Sequence, residues 1–301
     1  MTPTHATRDL RRIRAELLAW YDREHRAFPW RGVTDPYAVL VSEVMLQQTQ
    51  ASRIAARFPR FMARFPSVEA LAAAPAPDLL AEWSGLGYNR RALSLQRAAV
   101  TIARDGWPDT VDGLERLPGI GPYTARAVAS LAFGARVGVV DTNVRRWLVR
   151  RLAVADAPMP LQRAADALAT AAADGRAADW THATMEFGAS LCRARVPRCD
   201  ACPIAEGCPS RGVALSVPVA RQAPLLGSDR AWRGAVVRLL AERRGEGLAD
   251  DALRRLVADE ARAGPPLDDG RWTRVLGALE RDGLIHLAGG VVRLGAATIG
   301  A

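Results

Sequence analysis

The sequence predicts a mainly helical chain closed by a small α+β module, and three observations carry that expectation. Apolar residues recur at helical spacing through the first two thirds of the chain. The breaks between those stretches are rich in Gly and Pro. The tail reads as three helices followed by two short β-type runs. With 301 residues, 49% of them hydrophobic and 24% charged, the chain can fill two or three cores and is not a disordered one.

Taken in order, helical periodicity covers Leu10 to Trp20, Tyr37 to Leu46, Ile54 to Phe65, Leu79 to Trp83 and Ala92 to Ile102. Turn formers and helix breakers mark loops at Phe28-Pro29-Trp30-Arg31-Gly32, Ala74 to Pro77, Gly106-Trp107-Pro108 and Val196-Pro197. Leu117-Pro118-Gly119-Ile120-Gly121-Pro122-Tyr123 separates a short helix from one running from Pro122 to about Phe133, with proline in the first turn, where its missing N–H costs nothing. This is the pattern of a helix-hairpin-helix. Val137 to Val140 is expected to be extended. Residues 213–228 carry Pro, Gly and Ser without periodicity and read as a linker between a domain at 1–212 and one at 229–301. In the latter, helices are expected at Asp229 to Arg243, Ala249 to Ala261 and Asp269 to Asp282. The runs Gly283 to Leu287 and Val291 to Leu294 then form a hairpin, giving a winged-helix-like module.

Charge points to a polyanionic partner. The 41 basic residues exceed 32 acidic ones to give +9, and every basic residue is arginine. Without lysine, imine chemistry at a side-chain amine is excluded. No run approaches the ~18 to 20 uncharged apolar residues of a membrane span, and the polar start Met1 to His5 lacks the apolar stretch of a secretory signal. A cytoplasmic, nucleoid-associated monomer with no membrane partner is expected.

The four cysteines lie at Cys192, Cys199, Cys202 and Cys208, a C-x6-C-x2-C-x5-C pattern within 17 residues. Disulfides do not suit a cytosolic chain of this size, so the set reads as a metal centre. Zinc favours two separated pairs. A central pair flanked by a distant cysteine on each side suits an iron–sulfur cube better, and both remain open on spacing alone. Arg193, Arg195 and Arg198 make the loop between them basic.

Two carboxylates interrupt apolar stretches. Glu43 stands in Val39-Leu40-Val41-Ser42-Glu43-Val44-Met45-Leu46, where desolvation would raise its pKa and fit it for general acid work. Asp141 follows Val139-Val140 and is placed to cap the next helix, which holds a carboxylate ionised. One protonated and one ionised carboxylate is the pairing that cleaves glycosidic bonds. The glycines at Gly119 and Gly121 let a backbone approach closely at a helix start, where free amides bind phosphate oxygens. A second turn, Gly85-Leu86-Gly87, sets Tyr88 beside Arg90 and Arg91, an aromatic fit to wedge between bases.

Together, Ser42 to Gln50, Gly85 to Tyr88, Leu117 to Gly121, Val140 to Val144 and the cysteine spacing make the chain resemble the helix-hairpin-helix DNA glycosylases of the endonuclease III superfamily, and within it the adenine DNA glycosylases, over about residues 10 to 210. The resemblance implies a six-helix barrel lobe and a cluster lobe with DNA between them, and a 4Fe-4S cluster on residues 192–208. It implies a monofunctional enzyme of base excision repair that removes adenine mispaired with 8-oxoguanine or guanine from double-stranded DNA. By position, Glu43 would protonate N7 of a flipped-out adenine and Asp141 would stabilise the sugar cation, with Tyr123 and Asn143 ordering the pocket. Arg26, Phe28, Trp30, Arg31 and His182 would line the adenine site, and Gln47, Gln48 and Tyr88 would meet the substrate duplex. The superfamily's lyases carry a lysine at the place of Tyr123, so no lyase activity is implied. Many members end in a Nudix-like domain with a Phe-Ser-His loop. That loop is not found here, and the winged-helix-like tail is expected to help clamp the strand opposite the adenine. The alternatives are a thymine or uracil mismatch glycosylase of the same superfamily, and a non-catalytic iron–sulfur redox sensor.

Overall fold

The structure, a computed structural model, describes residues 3–213, 215–218, 228–243, 246–260 and 267–295, the side chains of 3–7 excepted. Fourteen α-helices and three short strands make up the described residues. Packing groups the chain into two units, 1–59 with 108–220 and 60–107 with 221–301. This grouping differs from the division at 212 that the sequence suggests, because the helix at Ala76–Trp83 packs on the helix at Asp229–Glu242 and the strand at Val291–Leu294.

In the first unit run α1 (Pro3–Glu24), α2 (Pro36–Leu46) and the start of α3 (Ala51–Arg64). In the second, the rest of α3 is followed by α4 (Val68–Ala72), α5 (Ala76–Trp83) and α6 (Arg90–Asp105). The chain returns to the first with α7 (Val111–Glu115), α8 (Pro122–Phe133), α9 (Thr142–Leu152), α10 (Pro158–Ala169) and α11 (Ala177–Ser190). The second is completed by α12 (Asp229–Glu242), β1 (Leu248–Ala249), α13 (Asp250–Glu260), α14 (Asp269–Arg281), β2 (Ile285–Ala288) and β3 (Val291–Leu294).

The core of the first unit gathers Ile13, Leu17, Trp20, Trp147, Trp180 and Phe187, with the Phe187 ring edge-on to Trp20 and Trp147 at 5.9 Å each. Cys192 and Cys202 pack against this core. Two glycines set the helix spacing. A Cβ on Gly138 would come within 2.4 Å of the Ala165 carbonyl carbon, and one on Gly188 within 2.5 Å of the Asn143 carbonyl oxygen. Residues 137–140 join no sheet. Their backbone is satisfied by side chains instead: Gly138 donates to Asp166 at 2.7 Å and accepts from Arg126 at 2.8 Å.

In the second unit the expected three helices and hairpin are present, with Gly289 and Gly290 at positive φ in the turn. The strand β1, which the sequence reading did not foresee, adds to the hairpin to give the order β1-β3-β2, all antiparallel. Two residues are too short a signal for periodicity. The expected end of the second helix at Ala261 and most of the expected linker lie outside the described residues. No helix among the described residues is long and apolar enough to cross a membrane.

Candidate functional site

Helix α2 is apolar on nearly all sides, and its residues from Tyr37 to Met45 are buried. Asp35 caps it by accepting from the Ala38 amide at 3.0 Å, with Pro36 opening the first turn. An acid in such a helix is largely shut off from water, and Glu43 is 3% exposed. Burial pushes its carboxyl up to about 7, with the charge of Asp141 adding to the rise and a hydrogen bond with Tyr123 opposing it. Tyr123 comes from the first turn of α8, which packs on α2, and its hydroxyl also lies 3.9 Å from Met185 Sδ.

Asp141 caps α9 as expected. It accepts from the Val144 amide at 2.6 Å and from Asn143 Nδ2 at 2.7 Å. Burial raises its carboxyl above the usual range too, and those donors together with Arg146 offset only part of that rise. Both carboxylates, Tyr123 and Asn143 open onto one cavity of about 890 Å³, a size typical of ligand sites. The cavity is also lined by Arg26, Phe28, Trp30, Arg31, Gln47, Gln48 and His182, so the expected pocket residues of this unit converge.

The wall opposite α2 is built from stacked rings and paired charges. Phe28 and Trp30 stack at 4.9 Å, and the Arg26 and Arg31 guanidiniums lie over Phe28 at 5.2 and 5.3 Å. Both arginines converge on Glu186 of α11, Arg26 through Nε at 2.6 Å and Nη2 at 3.1 Å, and Arg31 through Nη2. Burial works to raise the Glu186 carboxyl, but the two guanidiniums hold it below the usual range. His182, one turn earlier, is driven down to about 3 by burial and by the charge of Arg31, so it stands neutral in the wall. Gln47 donates to Thr124 at 3.1 Å, and Gln48 holds a positive φ of 54° in the turn after α2.

Sequence reading missed Glu186 and Arg146. Glu186 carries the same signal that singles out Glu43, a carboxylate inside an apolar helical stretch. Arg146 is 4% exposed and donates to Asn143 Oδ1 at 2.9 Å, to the Cys192 carbonyl at 2.7 Å and to the Gly188 carbonyl at 2.5 Å. Arginine in a chain full of arginine gives no such signal.

The four cysteines are unpaired and line one pocket, together with Arg150 and Arg151 of α9. Among the described residues no group of three or more His, Cys, Asp or Glu side chains is placed to hold a single metal ion. Four thiols around a shared space suit a polynuclear cluster, whose metal atoms each take one of them. The loop itself is held by buried arginines: Arg150 donates to the carbonyls of Arg193 at 2.6 Å and Ala194 at 3.0 Å, and Arg151 to that of Ile204 at 3.0 Å. Arg193, Arg195 and Arg198 point into solvent.

The hairpin between α7 and α8 is anchored by buried Leu117 and Ile120, with the Ile120 amide bonded to the Leu117 carbonyl at 3.1 Å. Gly119 takes a φ of 76° that other residues avoid, and Gly121 caps α8 without a side chain in the way. That leaves a helix start bare for an anion. Tyr88 belongs to the second unit, where it is exposed at a φ of 48°.

Residues 41–169 match the family described as HhH-GPD superfamily base excision DNA repair protein. The adenine DNA glycosylase of Mycobacterium tuberculosis is 43% identical over 244 residues, covering 74% of this chain and 77% of that protein. The human adenine DNA glycosylase is 38% identical, covering 69% of this chain and 41% of that protein. Among solved structures, a thermostable thymine-DNA glycosylase superposes with a TM-score of 0.62 at 26% identity, over 68% of this chain and 97% of that one. An endonuclease III bound to DNA shares the fold, with a TM-score of 0.57 at 23% identity, over 67% of this chain and 95% of that one.

Proposed function

From its membership of the adenine DNA glycosylases, within the HhH-GPD superfamily of base excision DNA repair proteins, we propose that the chain removes adenine mispaired with 8-oxoguanine or guanine. It is a DNA-binding base excision repair glycosylase. The observation that carries the finer reading is the pair Glu43 and Asp141, a buried and a half-buried carboxyl on one cavity with unequal donor sets.

Glu43, poised near neutrality, gives its proton to N7 of an extruded adenine, and the base becomes a better leaving group. Asp141, fixed by Val144 and Asn143, faces the sugar as positive charge develops there. Tyr123 holds the Glu43 carboxyl in place. Arg26 and Arg31, tied to Glu186, and the neutral His182 shape the polar wall for the base, while Phe28 and Trp30 supply its apolar face. With no lysine in the chain, no side-chain amine is available to trap the sugar, so the reading is of a glycosylase that does not cleave the strand.

Cys192, Cys199, Cys202 and Cys208 would hold a 4Fe-4S cluster. Held on one cluster, Cys192 and Cys199 would brace the two ends of the basic loop between them. The hairpin amides near Gly119 and Gly121 and the loop arginines grip the backbone of a duplex. Single-turnover assays on duplexes with A opposite 8-oxoguanine, A opposite G, T opposite G and U opposite G test this reading. Adenine release without strand cleavage before alkali is the expected result, and release of thymine or uracil instead would overturn it.

A further inference from the structure

The C-terminal segment is docked on the turn that carries Tyr88. Arg230, in the first turn of α12, donates from Nη1 to the Tyr88 hydroxyl at 3.1 Å and lies 6.0 Å from the ring centroid. Arg91 flanks the same ring at 5.6 Å. Just beyond, Asp282 receives both Arg90, at 3.5 Å, and Arg233 of α12, which joins the start of α6 to the module. The turn itself is fixed from below: Trp83 Nε1 and Arg91 Nη2 both donate to the Gly87 carbonyl, at 3.3 and 3.1 Å.

Two features of Tyr88 are unusual for a residue held this firmly. Its φ of 48° lies in the left-handed region, which a side chain with a bulky ring disfavours. The residue is also 38% exposed, although its phenol has a hydrogen-bond partner and two cations lie beside the ring. A strained backbone that aims an exposed aromatic outward between cations fits a stack of bases above a phosphate chain better than it fits packing.

We propose that Arg230 is a positioning residue for Tyr88: the C-terminal module, through this one guanidinium, holds the ring at the angle from which it enters the base stack beside the mismatch. The proposal rests on the glycosylase reading above, and it gives the module a specific task in base extrusion. Arg230 acts through the hydroxyl, so removal of either partner has the same consequence.

The test uses the full chain as Arg230→Ala, Arg230→Lys, Tyr88→Phe and the Arg230→Ala/Tyr88→Phe double variant. The probe is a duplex with adenine opposite 8-oxoguanine and 2-aminopurine next to the 8-oxoguanine. Entry of the ring unstacks the 2-aminopurine and raises its fluorescence before base release. Arg230→Ala and Tyr88→Phe are each expected to lose most of that rise and to slow base release about tenfold, with the double variant no slower than either. Arg230→Lys, which keeps a donor and a charge, is expected to recover part of the rise.

An unchanged fluorescence rise in Arg230→Ala overturns the proposal. So do losses that multiply in the double variant, since the two residues then act independently. A melting temperature lowered by more than about 5 °C, with no rescue by lysine and no effect of Tyr88→Phe, would make Arg230 a brace for the fold alone. If the unaltered chain gives the fluorescence rise yet releases no adenine from any duplex, the glycosylase reading fails and this inference does not.

Discussion

Gly188 of α11 and Asn143 of α9 are in backbone contact: a methyl group on Gly188 would stand 2.5 Å from the Asn143 carbonyl oxygen. The contact brings the first turn of α9, with Asp141 as its cap, against the helix that carries His182 and Glu186. Gly188→Ala must therefore push Asn143 away, and Asn143 Nδ2 is one of the two donors holding Asp141. Overpacking of this kind costs about 1–3 kcal/mol. A loss of base-release rate larger than the loss of binding is expected in single-turnover assays, because Asp141 acts on charge that develops only in the transition state.

Glu43 makes stability and activity depend on pH in linked ways. Its folded-state value of about 7 lies above the ordinary 4.5, so between these limits the folded protein keeps a proton that the unfolded chain has lost. Stability contributed by the protonated carboxyl is complete below 4.5 and lost as pH rises through 7, by up to about 3 kcal/mol. Glu43→Gln removes that dependence. Its melting temperature should gain on that of the unaltered chain as pH rises from about 5 to 8. Base release should be abolished while duplex binding persists, and in the unaltered chain the release rate should fall above pH 7.

Glu186 is the shared partner of Arg26 and Arg31, and the Arg31 side chain is only 11% exposed. Glu186→Gln leaves a nearly buried guanidinium without its counter-charge, at a cost of about 3 kcal/mol. Arg26, which is half exposed, contributes little to that cost. Thermal unfolding should register the loss, and base release should fall with it, since both arginines then swing away from the cavity wall. A Glu186→Gln variant with the original melting temperature would mean that the two ion pairs do not hold the wall.

Much of this was open to the eye in the sequence. Glu43 and Asp141 are legible because a carboxylate in an apolar run is costly, and the pairing of Asp141 with Val144 is local, three residues away. Helices α1, α2, α3, α5, α6 and α8 follow from periodicity and from Pro and Gly near their ends, whereas α4, five residues long, is too short to show a period. What escaped depends on residues distant in sequence: Glu186 meets Arg26 and Arg31 across 160 and 155 positions. The bond from Arg230 to Tyr88 spans 142 positions, and periodicity carries no information about such pairs. Nor does composition show that α5 packs on α12 and β3, more than 140 positions away in the chain.

The cysteine loop supplies the last expectation. Arg150 and Arg151 hold its carbonyls from α9, and Arg146 holds the Cys192 carbonyl, so part of the loop is fixed by protein alone. The segment between the first two cysteines has exposed Arg193, Arg195 and Arg198, and its ends meet where the Arg198 amide donates to the Leu191 carbonyl at 2.9 Å, each end one residue short of a cysteine. Cys199→Ala should lower iron and sulfide together, because removal of one of four thiolates weakens the hold on the whole cube. The core around Trp147 and Phe187 does not include Cys199, so helical content should survive. Duplex affinity should drop, and the slope of log affinity against log salt should become shallower by about one for each phosphate contact the loop gives up. An affinity loss with an unchanged salt slope would mean that the loop arginines do not touch the backbone, and that the cluster serves the fold rather than the grip on DNA.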